Sequence, residues 1–99
     1  MSDTRLTQRV NVGAITTGAG TAIAANGERL GWSIQNLGQN PLFVNLGGTA
    51  STTVFHFVLK GGTANDDGLG GVVGQTNGTV FTGIITVAGT NPRFAVLEH

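Results

Sequence analysis

The stretch KGGTANDDGLGGVVG, residues 60–74, sets two adjacent carboxylates, Asp66 and Asp67, among glycines. Three chemistries suit such a setting: a phosphate cradle, a calcium loop, and a clamp for an anion or other ligand. A cradle of the G-x-G-x-x-G kind needs glycine at 68, 70 and 73, but position 73 is Val73. A Walker loop ends in Gly-Lys-Ser/Thr, and the one lysine, Lys60, stands before the loop. No helical pattern follows to offer its amides to a phosphate. Calcium fits better in part. Asn65, Asp66 and Asp67 supply hard oxygen donors, and Gly68 permits a sharp turn. The EF-hand spacing and its distal bidentate glutamate are missing. The sequence leaves calcium open beside the ordinary reading, an exposed Asn-Asp-Asp-Gly turn.

The other reactive residues are sparse. His56 lies between Phe55 and Phe57, with no nucleophile or acid nearby in sequence, and reads as a packed or interface residue rather than a base. The acids are Asp3, Glu28, Asp66, Asp67 and Glu98. Only Asp66 and Asp67 adjoin, and neighbours on an extended chain point to opposite sides, which is poor geometry for paired acid–base work. Cysteine is absent, which excludes disulfides, zinc–thiolate sites and thiol nucleophiles. A histidine-based metal site lacks partners. No catalytic residue, cofactor or metal is expected. Arg5, Arg9, Arg29, Lys60 and Arg93 are scattered and matched by acids, so no basic face for nucleic acid forms. Asn77-Gly78-Thr79 matches a glycosylation sequon but reads as a turn.

These residues sit in a chain of 99 residues with formal net charge zero and only 10% charged side chains, against about 25% in a typical soluble domain. A surface so poor in charge is covered by Thr, Ser, Asn, Gln and Gly, or by other protein, which points to a subunit of an assembly. No apolar run approaches the ~20 residues of a membrane span, so no membrane partner is expected. MSDTRLTQRV lacks the apolar core of a signal peptide, and synthesis in the cytoplasm is expected. Residues 97–99, Leu-Glu-His, are either native or the start of a purification tail, which would carry no functional argument.

Thr and Val lead among the strand formers, with Ile and Phe behind them, and no amphipathic helical stripe appears, so the chain reads as all-β. Strands are expected at 8–12, weakly at 21–25, then at 30–35, 42–46, 54–59, 79–87 and 93–96. Asn26-Gly27 supplies a turn of the kind that tolerates positive φ. Leu30, Trp32 and Ile34 alternate with small or polar residues, as in a half-buried strand. In 54–59, Phe55, Phe57 and Leu59 take one face and Val54, His56 and Val58 the other. Such a strand is central, or has its second face covered by a neighbouring subunit. Trp32 and the phenylalanines are expected in the core. The whole predicts a compact antiparallel β-sandwich or jelly roll of about eight short strands. Residues 1 to about 20 form an N-terminal arm or a first strand, and 21–97 the sandwich.

The stretch ERLGWSIQNLGQNPLFVNLGGTAS, with FHFVLKGG and FTGIITVAGTNPRFAVLE downstream, resembles small accessory proteins of tailed bacteriophage virions. The resemblance spans about residues 28–98 and consists of strands and turns. It implies a virion structural protein on the capsid surface, a decoration or cement protein that bridges capsomers as a homotrimer, with the major capsid protein as partner. Contact would then fall to Val54, His56 and Val58, to Arg5 and Arg9 of the arm, and to Asn65, Asp66 and Asp67. The competing expectation is a tail, head-spike or fibre module that binds a host surface through the 65–71 loop.

Overall fold

The computed structural model describes residues 9–14, 18–76 and 80–98. Among them lie eight strands: β1 (Arg9–Ala14), β2 (Ala19–Ile23), β3 (Gly31–Asn36), β4 (Leu42–Leu46), β5 (Phe57–Leu59), β6 (Val72–Thr76), β7 (Ile85–Gly89) and β8 (Arg93–Glu98). They form two four-stranded antiparallel sheets, ordered β1-β8-β3-β6 and β2-β7-β4-β5. Within them β1 pairs β8, β2 pairs β7, β3 pairs β6 and β4 pairs β5. Successive pairs of this ribbon alternate between the two sheets of a sandwich-like arrangement.

Period-two patterning builds one core between the sheets. Trp32 and Ile34 of β3, and Phe94 and Val96 of β8, face Leu42 and Val44 of β4 and Ile85 and Val87 of β7, all buried in a single cluster. Burying each such side chain is worth about 1.5–3 kcal/mol. Trp32 keeps its polar edge satisfied by donating Nε1–H to Gln75 Oε1 at 2.8 Å.

Several expectations shift. Leu30 is 61% exposed, because β3 begins one residue later and the neighbouring Arg29 turns inward instead. Of the phenylalanines only Phe94 is fully buried; Phe57 and Phe81 pack against the core rim and Phe55 is 40% exposed. The strand expected over 54–59 shrinks to β5 at an edge, so it is not central. Its first half is a turn: Ser51 and Val54 exchange backbone hydrogen bonds, and Ser51 Oγ accepts from the Thr53 and Val54 amides. The strand expected over 79–87 starts only at Ile85. A strand not foreseen, β6, emerges from the glycine run at Val72. Asn26-Gly27 does turn the chain, with Arg29 N–H donating to Asn26 O at 3.1 Å, but neither residue takes positive φ.

Of the expected N-terminal arm, residues 9–14 are strand β1, in register with β8. Arg5, residues 1–8 and Asn77-Gly78-Thr79 lie outside the described residues. Leu97 and Glu98, read from the sequence as native or as the start of a purification tail, belong to β8.

Candidate functional site

The acid loop, residues 60–71, joins β5 of one sheet to β6 of the other. It is tied down along its length. Gly62 N–H donates to Gly38 O, Asp66 N–H to Leu37 O and Gly71 N–H to Lys60 O, while Asn36 N–H donates to Gly71 O. Its glycines allow close backbone approach. A Cβ on Gly70 would collide with the Asn36 carbonyl oxygen, and one on Gly61 with the Gln39 carbonyl. Asp66 adopts the left-handed region at φ 61°, where Asp is among the few residues tolerated.

Both carboxylates are occupied. Asp67 Oδ2 accepts from Thr63 N–H (2.8 Å), Thr63 Oγ1 (2.8 Å) and Ala64 N–H (2.9 Å), and Oδ1 accepts from Leu69 N–H at 2.9 Å. The Leu69 and Ala64 amides, with the Thr63 hydroxyl, hold the Asp67 carboxyl down to about 2. Asp66 forms a two-pronged pair with Arg93, Nε to Oδ1 and Nη2 to Oδ2, each 2.8 Å. Arg93's hydrogen bonds lower the Asp66 carboxyl, and Asp66 raises the guanidinium in return. The two acids therefore serve different neighbours. Among the described residues no three His, Cys, Asp or Glu side chains gather as a metal cluster. The loop is a built turn that uses its own oxygens. Asn65 is exposed within it, and Lys60 is exposed at its entrance.

Sequence reasoning missed two buried polar hubs. Asn36, last residue of β3, turns its Nδ2 toward the carbonyls of Asn40 (2.8 Å), Leu59 (3.0 Å) and Lys60 (3.1 Å), and its Oδ1 accepts from Gly38 N–H at 2.9 Å. This one amide fastens β3, the following turn and the end of β5. The Asn-Leu-Gly order was its signal, since an Asn side chain mimics a turn by bonding two residues ahead. At the other end of β3, Arg29 has a side chain with 0% exposure. Its Nε donates to Glu98 Oε2 at 2.8 Å, Nη1 to Phe81 O at 2.6 Å and Gly83 O at 3.1 Å, and Nη2 to Ala24 O at 2.6 Å. Residues 80–84 form no strand, and two of their carbonyls, those of Phe81 and Gly83, bind this guanidinium.

His56 is exposed, not packed. Its N–H donates to Val44 O at 2.7 Å and its Nδ1 accepts from Leu46 N–H at 3.0 Å. That contact puts the ring proton of neutral His56 on Nε2 and uses the ring to extend the β4 edge. Val54 (53% exposed) and Val58 (48%) are open to solvent. Val58 and Phe43 are register partners on the outer face of the second sheet, opposite the core-facing Leu42, Val44 and Leu59. Phe55 lies over Phe43, ring centroids 5.0 Å apart. Residues 47–50 cross the same face, where Thr86 Oγ1 accepts from Ala50 N–H and donates to Gly48 O, both at 2.9 Å. Arg9 opens β1 opposite Glu98 in register, on the other sheet.

The strands of this outer face carry no charge, and exposed Lys60 follows directly after β5. None of β2, β4, β5 and β7 contains Asp, Glu, Lys or Arg. Nor does any position from Leu30 to Leu59, which includes the overlying segment. Elsewhere, Arg29, Glu98, Asp66 and Arg93 are paired within the chain and Asp67 is bonded by its loop. Comparison with protein-family models, with curated proteins and with solved structures finds no match to this chain.

Proposed function

We propose that the protein is a non-enzymatic structural component that works by contact, a phage capsid decoration protein that steadies the head by bridging capsomers. The observation that carries the contact reading is the charge-poor, partly apolar outer face of the second sheet, where Phe43, Val54, Phe55 and Val58 adjoin. Charge-depleted, aromatic-bearing surface is what the centre of a protein interface requires. The fate of the candidate reactive groups supports it too. Asp66 and Asp67 are taken up by internal partners, and His56 spends Nδ1 on a backbone amide. The resemblance over residues 28–98 supplies the virion, the major capsid protein as partner and the trimer.

Such a protein acts by mass action, binding the assembled shell and not its separated subunits. The host-recognition alternative draws less support. It calls for exposed aromatics at the 65–71 loop, where the large exposed side chain is Leu69. Cosedimentation with purified phage heads stripped of accessory proteins tests the proposal. Saturable binding to mature heads, none to dissociated capsid subunits, and a higher temperature of DNA release are expected. A well-folded protein that leaves heads untouched overturns it.

A further inference from the structure

We infer that His56 is a pH-sensitive clasp of the contact face: neutral, it holds the face closed, and in acid it lets go and weakens attachment. The inference rests on the contact reading above and names the regulation of that face. His56 closes the base of the connection from β4 to β5. The ladder between these strands ends at Val44 and Phe57. Beyond it, His56 N–H donates to Val44 O at 2.7 Å, and the ring Nδ1 accepts from Leu46 N–H at 3.0 Å. The imidazole thus supplies the acceptor that a further ladder residue would have given. Residues 47–55 loop out between the two ends of this clasp. They dock buried Ala50 on Thr86 and return through Val54 and Phe55, with Phe55 over Phe43. The clasp therefore stands next in the chain to the apolar centre of the face.

Only the neutral ring can close it. A backbone amide donates and never accepts, so Nδ1 must be the acceptor, and an imidazolium has a proton on both nitrogens and accepts nothing. Nothing around the ring compensates the charged form. β4, β5, residues 47–55 and β7 behind β4 contain no Asp, Glu, Lys or Arg. Lys60, four residues on and exposed, has the wrong sign. The Phe57 ring centroid is 6.5 Å away, outside the reach of about 6 Å for a cation over an aromatic face. His56 is itself exposed, so solvent protons reach it. Protonation then acts twice in one direction. Leu46 N–H loses its acceptor, which frees the chain beside Phe55. A full charge also appears beside Phe55, on surface that a partner must strip of water. The bond's contribution is present with the ring neutral and lost as pH falls.

Amide NMR of the full chain and cosedimentation with stripped heads, at about pH 8 and about pH 5, test this, since histidine ordinarily changes its charge between them. His56→Asn places an amide oxygen where Nδ1 stood and does not titrate. His56→Phe keeps a ring with neither acceptor nor charge. Both variants retain His99 and the chain's amino group, which also titrate in this range. The emission of buried Trp32 checks that each is folded. In wild type the Leu46 amide resonance should move toward its unbonded position in acid, in step with the protonation of His56. In His56→Phe it should stand there at both values, and in His56→Asn at neither. The dissociation constant for heads should rise roughly two- to tenfold in acid for wild type, at least the worth of one hydrogen bond, and stay flat in both variants. A Leu46 amide that keeps its place while His56 takes up its proton overturns the inference. So does a loss of head affinity in acid that wild type and His56→Asn share. A protein that binds heads alike at both values sinks only the clasp. One that ignores heads at both, while its Leu46 amide follows His56, sinks only the capsid reading.

Discussion

Strand β8 carries an ion pair at each end, and the two pairs are unlike. At its start, Arg93 meets Asp66 in the open, with side chains 35% and 50% exposed. At its end, Glu98 meets Arg29 in the dark, with side chains 9% and 0% exposed. Both are 2.8 Å contacts, so distance does not separate them. Solvent does. The outer pair exchanges water for a partner at little net gain. The inner pair has given up nearly all its water, and its guanidinium repays this by also holding three backbone carbonyls, Ala24 in its own connection and Phe81 and Gly83 in the one before β7. One pair decorates a loop; the other closes an end of the sandwich.

The sharpest way to break this contrast is to remove Arg29. Arg29→Ala removes the guanidinium from the buried Glu98 carboxylate and from three backbone carbonyls, and should cost about 3–5 kcal/mol. That approaches the whole stability of a small domain, about 5–15 kcal/mol, and urea denaturation followed through Trp32 would measure it. A companion variant divides the effect. Arg29→Met with Glu98→Leu removes both charges, and an isolated buried pair replaced in this way loses little. Here the carbonyls of Ala24, Phe81 and Gly83 remain, so the double variant should recover less than half of the loss. Full recovery would mean that the ion pair alone matters and the carbonyl contacts are incidental.

A second, smaller effect belongs to the opposite end of β3. Gly70→Ala drives a methyl into the Asn36 carbonyl oxygen, a backbone atom that cannot swing aside. Overpacking of this kind costs about 1–3 kcal/mol. The loss should appear as a lower urea midpoint with an unchanged slope. A neutral result would show that the 60–71 loop yields easily, and that only the Arg29 end is rigidly specified.

The contrast also explains what could be read in advance. The strand Leu42–Leu46 and the alternation of Trp32 and Ile34 are local patterns, so the all-β class and most strands follow from them. β6 was hidden because glycine in VVGQT looks like a loop. Gly74 is there because a Cβ would collide with the backbone oxygen of Trp32 on the paired strand, a fact that belongs to β3. The Arg29–Glu98 and Arg93–Asp66 contacts join residues 69 and 27 positions apart, with nothing in either neighbourhood to announce the partner. The Asp-Asp dipeptide drew notice because adjacency is visible in a sequence; its two members turned out to have separate partners. The uncharged run from Leu30 to Leu59 was equally visible, but it became a face only once β4, β5 and the crossing segment were placed together.

The smallest effects separate Asp66 from Asp67. Asp67 is held down to about 2 by hydrogen bonds from its own loop, against an ordinary value of 3.8. A carboxyl lowered on folding stabilises the protein above its unfolded value and loses that contribution as pH falls toward the folded one. Asp67 therefore adds to stability above about pH 4 and gives it up between about 4 and 2. Asp67→Asn, which keeps an acceptor but does not titrate, should flatten the fall in urea midpoint over that window. Asp66 is lowered in the same direction, but chiefly by the exposed Arg93. Its share should fade as salt rises, since exposed charges are screened over about 8–10 Å at ordinary ionic strength. Asp66→Asn should thus shift the midpoint slightly in low salt and not at all in high salt, whereas the effect of Asp67→Asn should survive salt. If both responded to salt alike, Asp67 would be acting as a charge and not as the acceptor that folds its loop.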